Sequence, residues 1–123
     1  MKFLIFENEF NLFEDVFHAF NMIFYGGKLS WIVKQSSQEL KDIQEINNYD
    51  VIFVDIDLSK NSIKDGFEIM NDIYKVNSNA NVVVLTGHGA IEKKLEERLD
   101  HHKRYKILNK PITIEELQNS VKV

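Results

Sequence analysis

At 123 residues, 44% of them hydrophobic and none cysteine, the chain can bury one self-sufficient core, and it excludes both a disulfide scaffold and a thiolate metal site. A formal charge of -4, with lysines scattered among acidic residues, offers no basic stripe for a phosphate backbone, so no nucleic-acid binding is expected. The opening apolar run meets Glu7 and Asn8 too soon for a signal peptide or a membrane span, which makes a cytoplasmic, membrane-free single domain over residues 1–123 the expectation.

Lys2 to Phe6 is short and almost wholly apolar, as in a strand buried on both faces of a parallel sheet. From about Asn11 to Phe24, the residues Leu12, Phe13, Val16, Phe17, Phe20, Ile23 and Phe24 recur at helical spacing and read as one core-facing stripe. Gly26-Gly27 ends that helix, and Leu29 to Val33 forms a second strand. Ser36 with Glu39 is a capping-box pattern that predicts a second helix reaching about Ile46. Val51 to Val54 is the most β-branched and aromatic run, the expected central strand, closed by Asp55-Ile56-Asp57.

A polar loop, Ser59 to Lys64, leads to Asp65-Gly66 and a third helix carrying Phe67, Ile69, Met70, Ile73 and Val76. Asn77 to Asn79 breaks it, and Val82 to Leu85 forms a fourth strand ending at Thr86-Gly87. A highly charged helix follows with Ile91, Leu95 and Leu99 on one face; the run Glu92 to Arg104, with His101 and His102 near its end, reads as a solvated face. The fifth strand is Tyr105 to Leu108. After Lys110-Pro111, Thr113 and Glu116 form a second capping box for a last helix with Ile114, Leu117 and Val121.

Regular alternation of buried strands with helices argues for an α/β fold, a parallel sheet covered on both faces. In such folds a ligand site lies outside the carboxyl ends of the strands. Those ends carry Glu7, Asn8 and Glu9 after the first strand, Asp55 and Asp57 after the third, Thr86 after the fourth and Lys110 after the fifth. Carboxylates brought together there repel one another unless a hard divalent cation joins them, and Mg2+ is the natural candidate. A hydroxyl and an ammonium at the same edge suit the oxygens of a phosphoryl group delivered to a carboxylate, with Asp55 the central acceptor.

Taken in order along the chain, Phe6-Glu7-Asn8-Glu9, Val54-Asp55-Ile56-Asp57-Leu58, Asp65-Gly66, Leu85-Thr86-Gly87 and Asn109-Lys110-Pro111 resemble the response-regulator receiver domains of two-component signalling. The resemblance implies a flavodoxin-like three-layer sandwich, with a five-stranded parallel sheet in the order 2-1-3-4-5 and five helices. It implies phosphorylation of Asp55, with Glu7, Asn8, Asp55 and the backbone carbonyl of Asp57 around Mg2+. Thr86 would donate to a phosphoryl oxygen, and Lys110, before a cis proline bond, would pair with phosphate or Asp55. The implied partners are a sensor histidine kinase or histidine phosphotransfer protein, and a downstream protein bound through the fourth helix, fifth strand and fifth helix. A phosphorylation-dependent dimer belongs to the same expectation, and no enzymatic activity beyond the domain's own phosphorylation and dephosphorylation does.

The chain departs from the family pattern at several places. Asn8 stands where a second carboxylate is usual, which removes one unit of attraction for the cation, with Glu9 a partial compensation. Ile107 stands where an aromatic switch residue is usual, while Tyr105 lies two residues earlier; Ser59 replaces a common proline in a loop longer than is usual. Asp57 and His88 fall at positions that flank the path of attacking water in this family, and are expected to set the lifetime of a phosphoryl group. Two other readings stay open: a degenerate receiver that binds a protein without being phosphorylated, and a haloacid-dehalogenase-type phosphatase, whose motifs Asp55-Ile56-Asp57-Leu58-Ser59, Thr86 and Lys110 also resemble.

Overall fold

A computed structural model describes residues 1–58, 60–100 and 105–122. Five parallel strands, β1 (Lys2–Phe6), β2 (Ser30–Lys34), β3 (Val51–Asp55), β4 (Val82–Thr86) and β5 (Tyr105–Asn109), form one sheet in the order β2-β1-β3-β4-β5. β1, β3 and β4 are the apolar runs of the sequence, and β3 and β4 are buried throughout. Their alternate side chains feed opposite layers. Leu4, Phe6, Ile52, Val54, Val82 and Val84 face one side, while Phe3, Ile5, Val51, Phe53, Val83 and Leu85 face the other.

Five helical connections cover the sheet: α1 (Glu14–Tyr25), α2 (Gly66–Val76), α3 (Glu92–Arg98), α4 (Ile114–Val121) and a 3-10 segment between β2 and β3. α1 and α4 lie on the Phe3 side; α2, α3 and the 3-10 segment lie on the Leu4 side. Rings of Phe3, Phe17 and Phe53 meet edge to face at 5.0 to 6.3 Å, and each fully buried phenylalanine contributes about 1.5–3 kcal/mol. The expected α/β three-layer sandwich and its strand order are therefore found.

Two boundaries differ from the sequence reading. First, α1 begins at Glu14, after a separate 3-10 turn at Phe10–Leu12. A 3-10 turn advances about 120° per residue against 100° in an α-helix, so a stripe counted through from Asn11 loses phase. Leu12 is accordingly 71% exposed, and Ile23 and Phe24 in the last turn are 62% and 42% exposed, although Phe24 still packs on Phe20. Phe17 and Phe20 are the fully buried members of the expected stripe.

Second, Ser36 does not cap an α-helix. The segment instead makes two 3-10 turns, Ser37–Glu39 and Ile43–Asn48. Its side chains are engaged elsewhere: Glu39 accepts from the Gln35 N–H at 2.7 Å, and Ser37 and Gln38 bind the long β3–α2 loop. The Ser37 N–H donates to Ser62 Oγ, Gln38 Nε2 donates to the Asn61 carbonyl, and the N–H groups of Ile63 and Lys64 donate back to Gln38 Oε1 and Ser37 Oγ. The expected cap at Thr113 holds its place, and a capping box that the sequence reading did not single out opens α2. Asp65 caps α2 with reciprocal bonds to Glu68, and Thr113 Oγ1 accepts from the Glu116 N–H. Ser59, His101, His102, Lys103, Arg104 and Val123 lie outside the described residues.

Candidate functional site

The carboxyl ends of β1, β3, β4 and β5 bring together most of the residues singled out in the sequence. Glu7 directly follows β1 and is wholly buried; its Oε2 accepts from the Glu9 N–H at 3.0 Å. Asp55 ends β3 and is 4% exposed, and its Oδ1 accepts from the Asp57 N–H at 3.0 Å. Thr86 ends β4, wholly buried. Lys110 follows β5, and its backbone N–H donates to the Thr86 carbonyl at 2.8 Å. The Lys110-Pro111 peptide is cis, as the resemblance implied.

The Lys110 ammonium reaches both carboxylates. It contacts Glu7 Oε1 and stands 3.6 Å from Asp55 Oδ2. Burial works to lower the Lys110 pKa, but the bond to Glu7 and the charges of Asp55 and Glu7 outweigh it, so the net shift is upward. Asp55 is pushed up to about 6, first by burial and then by the neighbouring Glu7 charge, against the pull of the Asp57 N–H and Lys110. Such a perturbed carboxyl at a strand end marks a candidate for chemistry.

α2 closes over this strand end. A Cβ on Gly66 would stand 2.5 Å from the Asp55 carbonyl oxygen and 2.7 Å from the Ile56 Cα, so only glycine lets the helix start so close to β3.

The remaining positions sit less tightly. Asn8 is half-buried and makes no hydrogen bond to the groups around it. Glu9 joins through its backbone while its side chain is exposed. The Thr86 hydroxyl is turned onto its own loop: Oγ1 donates to the His88 carbonyl at 3.2 Å and accepts from the His88 N–H at 3.0 Å. His88 Nε2 in turn meets Asp57 Oδ2 at 3.1 Å, joining the β3–α2 and β4–α3 loops. In the same β4–α3 loop Ala90 holds a left-handed φ of 58°. Ile107 packs, half-buried, on the α2 side of the sheet beside Tyr105.

Among the described residues, no three His, Cys, Asp or Glu side chains are grouped so as to hold a metal ion. Nevertheless the oxygen donors suit a hard divalent cation in reduced number. Glu7 Oε1 is buried against the ammonium of Lys110, and Asp55 Oδ2 faces the same space. Two carboxylates, the Asn8 amide and the Asp57 carbonyl are the groups that could hold such an ion. One neighbour escaped the sequence reading. The Phe13 ring lies under the ammonium of Lys110, at 5.6 Å from its centroid, and only the fold brings the two together.

The backbone is shared with solved receiver structures. The receiver domain of a response regulator from Francisella superposes with a TM-score of 0.66 at 25% identity, covering 98% of this chain and 92% of that one. The receiver domain of a sensor histidine kinase from Pseudomonas aeruginosa, in which a magnesium ion is coordinated in the active-site cleft, gives 0.70 at 16% identity, covering 98% and 93%. NtrX from Brucella abortus gives 0.71 at 21% identity over 96% of this chain, which spans only 25% of that protein. No curated protein sequence matches the chain. Among the described residues no helix is long and apolar enough to cross a membrane. The family model of the response regulator receiver domain matches residues 18–122, and the chain belongs to that family, the receiver modules of two-component signalling.

Proposed function

We propose that Asp55 is the phosphoacceptor of this receiver and that its phosphorylation, with Mg2+ bound, switches a protein-binding surface. The observation that carries the reading is the Asp55 carboxylate itself: buried, at the end of the central strand, and facing the ammonium of Lys110 3.6 Å away. In the transfer, a carboxylate oxygen of Asp55 forms the new O–P bond as the donor's bond to phosphorus breaks, and the bonding pair leaves with the donor. Glu7, Asn8, Asp55 and the Asp57 carbonyl are the groups that would hold Mg2+, which when bound would supply neutralising charge for the phosphoryl oxygens.

Lys110 moves its charge from Glu7 toward the incoming group, and Thr86 turns its hydroxyl from His88 to a phosphoryl oxygen. The donor in this reading is a histidine kinase or histidine phosphotransfer protein, and the output surface is α3, β5 and α4, the face expected for a downstream partner or a phosphorylation-dependent dimer. The whole of residues 1–123 acts as one receiver. Asp57 and His88 set the lifetime of the phosphoryl group; an unchanged dephosphorylation rate in His88→Ala removes that role.

One observation favours a second reading, in which the receiver binds its partner without phosphorylation: with Asn8 neutral, Lys110 already neutralises Glu7. Incubation with Mg2+ and acetyl phosphate separates the two. A mass increment of one phosphoryl group that Asp55→Asn abolishes supports phosphorylation, and no increment at saturating Mg2+ supports the constitutive module. Steady turnover of simple phosphate esters instead indicates the phosphatase.

A further inference from the structure

The sequence reading placed Phe13 in an apolar stripe, yet its ring has a polar neighbour. Phe13 is the last residue before α1, half-buried, and reaches the site from the β1–α1 connection. Lys110 arrives from the opposite side, after β5. Its Nζ lies 5.6 Å from the Phe13 centroid, within the range where a ring face attracts a cation.

The ring is itself held. Phe10 packs against it edge to face at 5.3 Å, and Phe17 lies 6.0 Å away on the first turn of the same helix. The cluster continues to Trp31 and Phe53, so Phe13 has a rigid support rather than a mobile side chain's freedom. Lys110, by contrast, has four side-chain torsions, and with a side chain 28% exposed it needs something to keep its ammonium out of bulk water.

We propose that Phe13 is a positioning residue for Lys110: its ring lies along one side of the ammonium and confines it to the small arc between Glu7 and Asp55. Two consequences follow from that placement. A weakly solvating aromatic face excludes water from one side of the charge, so the field of the ammonium falls on the carboxylates and on any phosphoryl group joined to Asp55. The ring attracts the cation without holding it by a hydrogen bond, so Lys110 can exchange Glu7 for a phosphoryl oxygen while staying over the same surface.

The inference deepens the phosphoacceptor reading of Asp55 and rests on it for its kinetic part only. The experiment compares Phe13→Leu, which keeps bulk but removes the π face, with Phe13→Tyr, which restores it. The first measurement is the NMR spectrum of the full chain without Mg2+ or phosphodonor: the Lys110 Hε protons are ring-shifted in the wild type and in Phe13→Tyr, and lose that shift in Phe13→Leu. The second is the rate of phosphorylation by acetyl phosphate, expected to fall about three- to tenfold in Phe13→Leu, to be retained in Phe13→Tyr, and to be insensitive to Phe13→Leu once Lys110 is already alanine. An unshifted Lys110 resonance in the wild type overturns the proposal. So does an equal rate for Phe13→Leu, or an equal loss from Phe13→Leu in the Lys110→Ala background. If the wild type takes up no phosphoryl group, the reading of Asp55 fails by itself, and the NMR comparison still decides for or against the placement of Lys110 by Phe13.

Discussion

The ammonium of Lys110 contacts Glu7 Oε1 while standing 3.6 Å from Asp55 Oδ2, so the residue on the first strand end, rather than the central aspartate, takes the larger share of its charge. A divalent cation held in the proposed way would compete with Lys110 for the same buried oxygen. Removing the lysine leaves two carboxylates facing each other in a site that excludes water.

Lys110→Ala is therefore expected to destabilise the metal-free protein by about 2–3 kcal/mol, less than the roughly 3–5 kcal/mol of breaking a fully buried pair because the lysine is partly exposed. Saturating Mg2+ should recover most of that loss, since the ion replaces the missing positive charge. Urea denaturation with and without Mg2+ measures both quantities. An identical loss in the two conditions contradicts the competition at Glu7.

Asp55 gives a pH signature. Its folded pKa is raised to about 6 from an ordinary value near 3.8, so between those values the folded protein binds more protons than the unfolded one. Stability from this group is fully present below about pH 4 and is lost as pH rises through about 6, a difference of about 3 kcal/mol at most. Asp55→Asn should flatten that part of the metal-free stability profile and make the protein more stable than the wild type at pH 7. The wild-type minus variant difference, from urea titrations between pH 4 and 7.5, is the measurement; a variant that loses stability at pH 7 contradicts it.

Gly66 and Gly87 provide a matched pair. A methyl group on Gly66 would strike backbone atoms at 2.5 and 2.7 Å, so Gly66→Ala should cost more than about 2 kcal/mol by pushing α2 off the end of β3. A Cβ on Gly87 meets nothing within 4 Å, and Gly87→Ala should stay within about 0.5 kcal/mol of the wild type. Thermal denaturation of the two variants side by side tests the close approach.

Restoring a carboxylate with Asn8→Asp should tighten Mg2+ binding about tenfold, because the charge of the ligand set governs affinity for a hard cation. Calorimetric titration with Mg2+ reads the change directly. Equal or weaker binding would mean that position 8 does not face the ion.

The five strands, the working cap at Thr113 and the strand-end residues Glu7, Asp55, Thr86 and Lys110 were legible in the chain itself, while the sheet order came from the family resemblance and the Asp65 cap only from the structure. The reason is local: apolar run length, side-chain period and capping chemistry depend on residues a few positions apart, and βα alternation then forces those strand ends onto one edge. What was not legible depended on distant partners. Ser36 and Glu39 have the right spacing for a capping box, but Ser62, Asn61, Ile63 and Lys64 come from another loop to engage Ser37 and Gln38, and the segment winds into 3-10 turns. Helical spacing grouped Leu12, Ile23 and Phe24 with Phe17 and Phe20, yet spacing carries no information on where the sheet stops covering a helix. The choice of Lys110 between Glu7 and Asp55, with Phe13 beneath it, was likewise decided only in three dimensions, because a long flexible cation takes the partner that packing and burial leave within its reach.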